Sequence, residues 1–141
     1  MKNVRLLIAD DDALFLRYLG DLLSDDFCTV ATVSDGTAVI AAVVAFDPHI
    51  IITNIDMPAM TRLDAVRQLE ALMPDMKIIV LTDQVEPEFA AATLGVGASA
   101  VLIKETPGLC GKIKAIVRDV LPAHSESSRE KLLPAGIIEH G

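Results

Sequence analysis

Six polar residues stand where an open α/β sheet keeps its chemistry. Asp10, Asp11 and Asp12 follow the apolar run "VRLLIA", Asn54 closes "IIITN", Thr82 closes "KIIVLT", and Lys104 follows "SAVLI". Adjacent carboxylates such as Asp10 and Asp11 form a hard-oxygen site of the kind magnesium uses, with waters and a phosphoryl oxygen completing the shell. A hydroxyl and an ammonium beside them steady a phosphoryl group by hydrogen bond and charge. The odd member is Asn54. A carboxylate there would be the more reactive choice. A carboxamide has its lone pair tied up in resonance, and no pKa tuning makes it a useful nucleophile.

Each group alone has a simpler account. Asp12 suits a helix N-cap. The other acids suit a helix N-terminus, Thr82 a turn, and Lys104 a solvated surface. Together they complement one another, provided that the strand ends share one edge.

The rest of the chain supplies that edge. "ALFLRYLGDLLS" places Leu14, Leu16, Leu19, Leu22 and Leu23 at roughly helical spacing. "CTVATV" is β-branched and reads as a second strand. "DGTAVIAAVVAF" is helix-length and ends before Pro48, and "RLDAVRQLEALM" is amphipathic and ends at Met73-Pro74. "PEFAAATLGVG" is a short helix stopped by Gly95 or Gly97, and "PGLCGKIKAIVRDVL" is the last, with Pro107 near its start. Strand and helix alternate five times. That pattern predicts an α/β fold, a doubly wound, five-stranded parallel sheet with helices on both faces. The strands read as continuous apolar runs, as doubly covered strands do. Their C-terminal ends then lie on one edge, where ligands bind.

Composition narrows the class. The 141 residues suit one domain, the core is aliphatic (52% hydrophobic, 4% aromatic), and the net charge of -8 argues against a nucleic-acid or anionic-membrane surface. Cys28 and Cys110 have no metal-type spacing and are expected as buried or half-buried thiols in a reducing compartment. The longest stretch without charge, Phe89 to Ile103, is too short to span a bilayer and is broken by Gly95 and Gly97. No signal peptide is visible, and a cytoplasmic protein is expected.

"LLIADDD", "PHIIITNIDMP", "IIVLT" and "VLIK", in this order and spacing, resemble the receiver domain of two-component response regulators from about Val4 to Leu121. The resemblance implies a flavodoxin-like (βα)5 fold with strand order 2-1-3-4-5. It implies that Asp10 and Asp11 hold magnesium together with the backbone carbonyl of Asp56. It gives Thr82 and Lys104 the roles of the hydroxyl and lysine that meet the phosphoryl group. Asn54 falls on the phosphoacceptor position. Magnesium is therefore expected to bind weakly, because the amide removes a charge from the acidic pocket.

Other positions depart from the family as well. Val101 stands where an aromatic three residues before the lysine is usual, "PAMTR" puts Ala59 and Arg62 where glycines are usual, and "KETP" lacks the proline that commonly follows the lysine. The leading expectation is a pseudo-receiver that signals by protein contact without phosphorylation at residue 54. The alternative is an ordinary phospho-receiver of a transcriptional regulator with an engineered acceptor mutation. A third is a phosphotransfer hydrolase of the haloacid-dehalogenase type, which needs an aspartate at position 54 and usually a cap domain. No catalytic residue is assigned, and the chain is expected not to be an enzyme. Expected partners are proteins: a histidine kinase, an output domain or another regulator, or a second copy through the fourth helix, fifth strand and last helix around Phe89, Val101 and Ile113. The bare stretches Thr37 to Phe46 and Phe89 to Leu94 are candidate docking patches or close-packed helices.

Residues 1–121 form the expected receiver domain and 122–141 a linker or tail. Within the tail, "SSREKLLPAGIIEHG" loosely resembles the start of a helix-turn-helix output domain, with Pro134 inside what would be its first helix.

Overall fold

A computed structural model describes residues 3–55, 62–83 and 86–120. The strands are β1 (Arg5–Ala9), β2 (Cys28–Val33), β3 (Ile50–Asn54), β4 (Lys77–Thr82) and β5 (Ala100–Ile103). The helices are α1 (Ala13–Leu23), α2 (Val39–Phe46), α3 (Arg62–Leu72), α4 (Pro87–Gly95) and α5 (Leu109–Val120). All strand pairs are parallel, and the sheet order is β2-β1-β3-β4-β5. The doubly wound α/β fold and the strand order expected from the sequence are both present.

The central strands are mostly apolar because both faces of the sheet are covered. Leu7, Ala9, Ile51, Ile78 and Val80 pack on one side with Val39 and Val43 of α2, Val66 and Leu69 of α3, and Leu94 of α4. Leu6, Ile8, Ile50, Ile52, Ile79 and Leu81 face the other side, against Leu16, Leu19 and Leu23 of α1 and Ile113, Val117 and Val120 of α5. Side chains along a strand alternate between faces, so consecutive apolar residues feed two cores. Burying each of these aliphatic side chains contributes about 1.5–3 kcal/mol. That sum fixes the register, since a one-residue slip would exchange the cores.

Turn chemistry sets the helix boundaries. Asp12 caps α1, its carboxylate accepting from the N–H groups of Leu14 and Phe15. The segment read as one helix from Gly36 begins as a 3-10 turn, Gly36–Ala38, capped by Asp35, before α2 proper. Gly95 closes α4, and Gly97 follows at φ +129, where a Cβ would come within 3.0 Å of Glu70. Pro107 lies in the turn ahead of α5.

Three expectations need correction. Leu14 and Leu22 were placed on the apolar face of α1 but are exposed; the helix buries only Leu16, Leu19 and Leu23, because its apolar spacing is wider than the strip that the sheet covers. Cys28 is exposed, since it starts an edge strand with a single neighbour, whereas Cys110 is half-buried. Ile113 is fully buried against the sheet and Phe89 packs partly into the core, so neither leads a docking face. Of the two bare stretches, α2 presents large apolar side chains to solvent: Ile40, Val44 and Phe46. No helix among the described residues is long and apolar enough to cross a membrane.

The edge opposite the strand tips is tied by Arg5. Its guanidinium donates twice to the Asp47 carbonyl, at 3.0 and 2.8 Å, where Asp47 ends α2 in the left-handed region at φ 48. The Arg5 N–H donates to His49 Nδ1 at 2.9 Å, which requires a neutral ring at that nitrogen. Burial, then the Arg5 charge, holds the His49 pKa below its ordinary 6.5, although Asp47 opposes this. The unfolded chain therefore takes up a proton first on acidification, and stability present above about pH 6.5 is lost as pH falls. Urea unfolding should show declining stability from about pH 7.5 to about pH 5.5, and His49→Asn, which keeps an acceptor without titrating, should flatten that decline. An unchanged slope in His49→Asn would contradict the assignment. Asp12→Ala should cost about 1 kcal/mol in the same assay through loss of the α1 cap; a cost indistinguishable from zero would show that the cap is not used.

Candidate functional site

Strand order places the site. The chain leaves β1 in one direction to build β2 and returns in the other to build β3, β4 and β5. At this reversal the connections diverge and open a crevice at the strands' C-terminal ends. Ala9 pairs with Thr53, so Asp10 and Asn54 come to the same level across β1 and β3. Thr82 ends β4 opposite Ile103 of β5, and Lys104 is the next residue.

Asp10 is fully buried, with a hydrogen bond at one carboxylate oxygen and an ion contact at the other. Oδ1 accepts the Asp12 N–H at 2.9 Å, a local turn that aims the chain into α1. Oδ2 lies 2.8 Å from Lys104 Nζ. The Lys104 ammonium also stands over the Phe15 ring, 4.3 Å from its centroid, within cation–π range. Its backbone N–H donates to the Thr82 carbonyl at 2.9 Å, which anchors the residue where β5 ends. The two side chains are 12% and 1% exposed, so this is a buried ion pair. A pair of this kind stabilises little against an apolar replacement of both partners, but removing one partner typically costs roughly 3–5 kcal/mol.

Asn54 is buried at the β3 tip, and its Nδ2 donates to Asp11 Oδ1 at 3.4 Å, near the long limit for such a bond. The amide is a donor where an aspartate would be a second carboxylate. With aspartate, the site would place three acids around one ammonium, and like-charge repulsion would need another cation. With asparagine, one carboxylate pairs with the ammonium and the other accepts from the amide. Thr82 is buried and Asp11 exposed, so the pocket opens on the Asp11 side.

The structure thus puts Asp10, Asp11, Asn54, Thr82 and Lys104 at one sheet edge. Asp12 serves α1 instead, and Asp56 lies outside the described residues. Val101 is half-buried against the α2, α3 and α4 side of the core. Sequence reasoning missed Phe15. It reads as one more apolar residue of α1, and nothing in its spacing indicates that its ring turns toward the strand tips. An open groove of about 520 Å³ between α1 and β2, lined by Arg17, Asp21, Thr32 and Ser34, includes none of the site residues.

Magnesium, the ion that the resemblance implies, can be tested against these donors. Among the described residues, no group of three or more His, Cys, Asp or Glu is placed to hold a metal ion. Two carboxylates and an amide oxygen are hard donors of the right type, so the site fits by chemistry, with Asp10 and Asp11 as the charged ligands. It falls one charge short, and Lys104 already occupies Asp10. When bound, magnesium would supply positive charge between the carboxylates and a phosphoryl oxygen.

Comparison with known proteins agrees with the geometry. Residues 6–113 match the response regulator receiver domain family. The chain is 31% identical over 105 residues to the transcriptional regulatory protein DegU of Brevibacillus brevis, covering 73% of this chain and 44% of that protein. It is 35% identical over 104 residues to protein-glutamate methylesterase/protein-glutamine glutaminase 2 of Rhodopseudomonas palustris, covering 72% of this chain and 28% of that protein. It therefore spans less than half the length of either relative. The isolated receiver domain of RcsB from Salmonella enterica, determined with a beryllofluoride phosphomimetic, superposes with a TM-score of 0.77 at 25% identity, covering 94% of this chain and 99% of that one. A strand-tip pocket of two acids, a threonine and a lysine on a 2-1-3-4-5 sheet, with a family match across most of its length, makes this chain a member of the response regulator receiver domain family of two-component signalling.

Proposed function

We propose that this receiver takes no phosphoryl group at residue 54 and signals by binding other proteins. Asn54 falls on the phosphoacceptor position, and one observation carries the reading. Its side chain is an amide, buried at the β3 tip and donating to Asp11. An amide offers no oxygen nucleophile, so no acyl phosphate forms there. The half-buried Val101, in place of the usual aromatic, supports the same reading, since a small aliphatic side chain packed on the core has no large ring to swing between inward and outward states. The site roles follow: Asp10, Asp11 and the Asp56 carbonyl as a weak magnesium site, and Thr82 and Lys104 as the phosphoryl-pocket pair.

We read the segment as a binding module and not an enzyme. The methylesterase named in the Rhodopseudomonas relative is not transferred, because the matched region is 28% of that protein. Receiver-family membership replaces the hydrolase reading. We place the chain in the cytoplasm, with a kinase, an output domain or another regulator as partner, no nucleic-acid contact by this segment, and residues 122–141 as a linker or tail. A second reading has its own support. Asp10, Asp11, Thr82 and Lys104 are all retained at one edge, as an ordinary phospho-receiver with an acceptor mutation would have them. The codon at position 54 in the source genome separates the two.

Incubation with acetyl phosphate and magnesium, followed by intact-mass measurement, should leave the chain unmodified, while Asn54→Asp gains one hydroxylamine-labile phosphate. A stoichiometric adduct on the Asn54 chain would overturn the proposal. For self-association we propose the face of α4, β5 and α5, where Ala91, Ala92, Gly95 and Ala115 are exposed and small enough for close approach. Ala91→Arg should shift sedimentation toward monomer, and Asn54→Asp without phosphodonor should leave it unchanged. A dimer that survives Ala91→Arg would move the interface elsewhere.

A further inference from the structure

The Lys104 ammonium is held by the β1–α1 segment. Its ammonium is 2.8 Å from Asp10 Oδ2 and 4.3 Å from the Phe15 ring centroid. Asp10 has no second free oxygen, because Oδ1 already accepts the Asp12 N–H. Phe15 belongs to the first turn of α1 and is fixed there by the Asp12 cap, whose carboxylate accepts the Phe15 N–H at 3.1 Å. One short stretch, Asp10 to Phe15, therefore supplies a carboxylate and an aromatic face to the same ammonium. The neutral Asn54 adds no negative charge to draw the lysine across to β3.

We propose that the Lys104 ammonium, clamped between Asp10 and Phe15, is the resident cation of this pocket and competes with a divalent ion for Asp10. The two cations meet at one carboxylate. A divalent ion that takes Asp10 must displace an ammonium already desolvated and stacked, and the displaced ammonium finds no second carboxylate at position 54. The lysine thereby does for the folded pocket what a metal does in a more acidic one: it neutralises the buried acid. The inference rests on reading this sheet edge as the receiver pocket, and goes beyond it by assigning weak metal binding to Lys104 and Phe15 as well as to the missing charge at residue 54.

The test is magnesium titration of the full chain by calorimetry, with thermal unfolding in the presence and absence of the ion. Lys104→Met keeps the stem and removes the charge. It should lower the unfolding midpoint in metal-free buffer, bind magnesium on the order of tenfold more tightly than wild type, and regain part of the lost midpoint on magnesium addition. Phe15→Leu, which leaves both acids and the lysine, should tighten magnesium a few-fold through loss of the cation–π contact, and should add nothing in the Lys104→Met background. If Lys104→Met bound magnesium no more tightly than wild type, the competition would not exist. If Phe15→Leu acted equally in both backgrounds, it would not work through Lys104. Asn54→Asp separates the inference from the reading beneath it. Tightening by Asn54→Asp without tightening by Lys104→Met overturns the inference alone, whereas tightening by neither overturns both.

Discussion

A carboxylate removed from water must be met by a positive charge, and at Asp10 that charge is Lys104. Asp10 lies at the point where the strand order reverses, among residues that exclude solvent. Its desolvation cost is large, and one backbone N–H at Oδ1 and one ammonium at Oδ2 meet it. This requirement ties β1, which carries the acid, to β5, which carries the base, across the two intervening strands. It also constrains the start of α1, because the same acid turns the chain into the helix and the same helix presents Phe15 to the lysine.

Charge count explains why an amide is tolerated at the β3 tip. In a pocket with three acids and one lysine, the surplus negative charge is balanced by a metal ion and, in signalling, rearranged by a phosphoryl group. Here one buried acid pairs with the lysine, and an amide donates to the other, exposed acid. Aspartate and asparagine are nearly isosteric, so the fold is indifferent to the exchange while the chemistry is not. A two-state switch needs a ligand that distinguishes its states. On the reading proposed above, phosphate on residue 54 does not fill that role, and protein contact does.

The fold was legible because both faces of the sheet are covered. Continuous runs such as "IIITN" and "KIIVLT" have few alternatives to buried parallel strands, and β3 and β4 end where the polar residues announce it. The acids, Asn54, Thr82 and Lys104 were visible as strand-end residues for the same reason. What the sequence did not show was partnership. Nothing in residue order says that Lys104 chooses Asp10, or that Phe15 turns inward while Leu14, its neighbour, stays in solvent. Phe89 failed as a surface candidate because uncharged helical stretches look alike whether they face the core or a partner, and Ile113 because the lysines on either side of it do not show which face of α5 meets the sheet. The exposure of Cys28 follows from its place on an edge strand, which depends on strand order.

The central claim is that Lys104 neutralises the buried acid of this pocket, Asp10, and that residue 54 is not an acceptor. Backbone amide NMR during titration with magnesium and beryllofluoride addresses it directly, because a complex at residue 54 would displace the Lys104 ammonium from Asp10. The account predicts that the resonances of Asn54, Thr82 and Lys104 keep their positions apart from small, fast-exchanging shifts caused by weak magnesium binding. A second, slowly exchanging set of peaks at Asn54, Thr82 and Lys104, growing in with beryllofluoride, would contradict it.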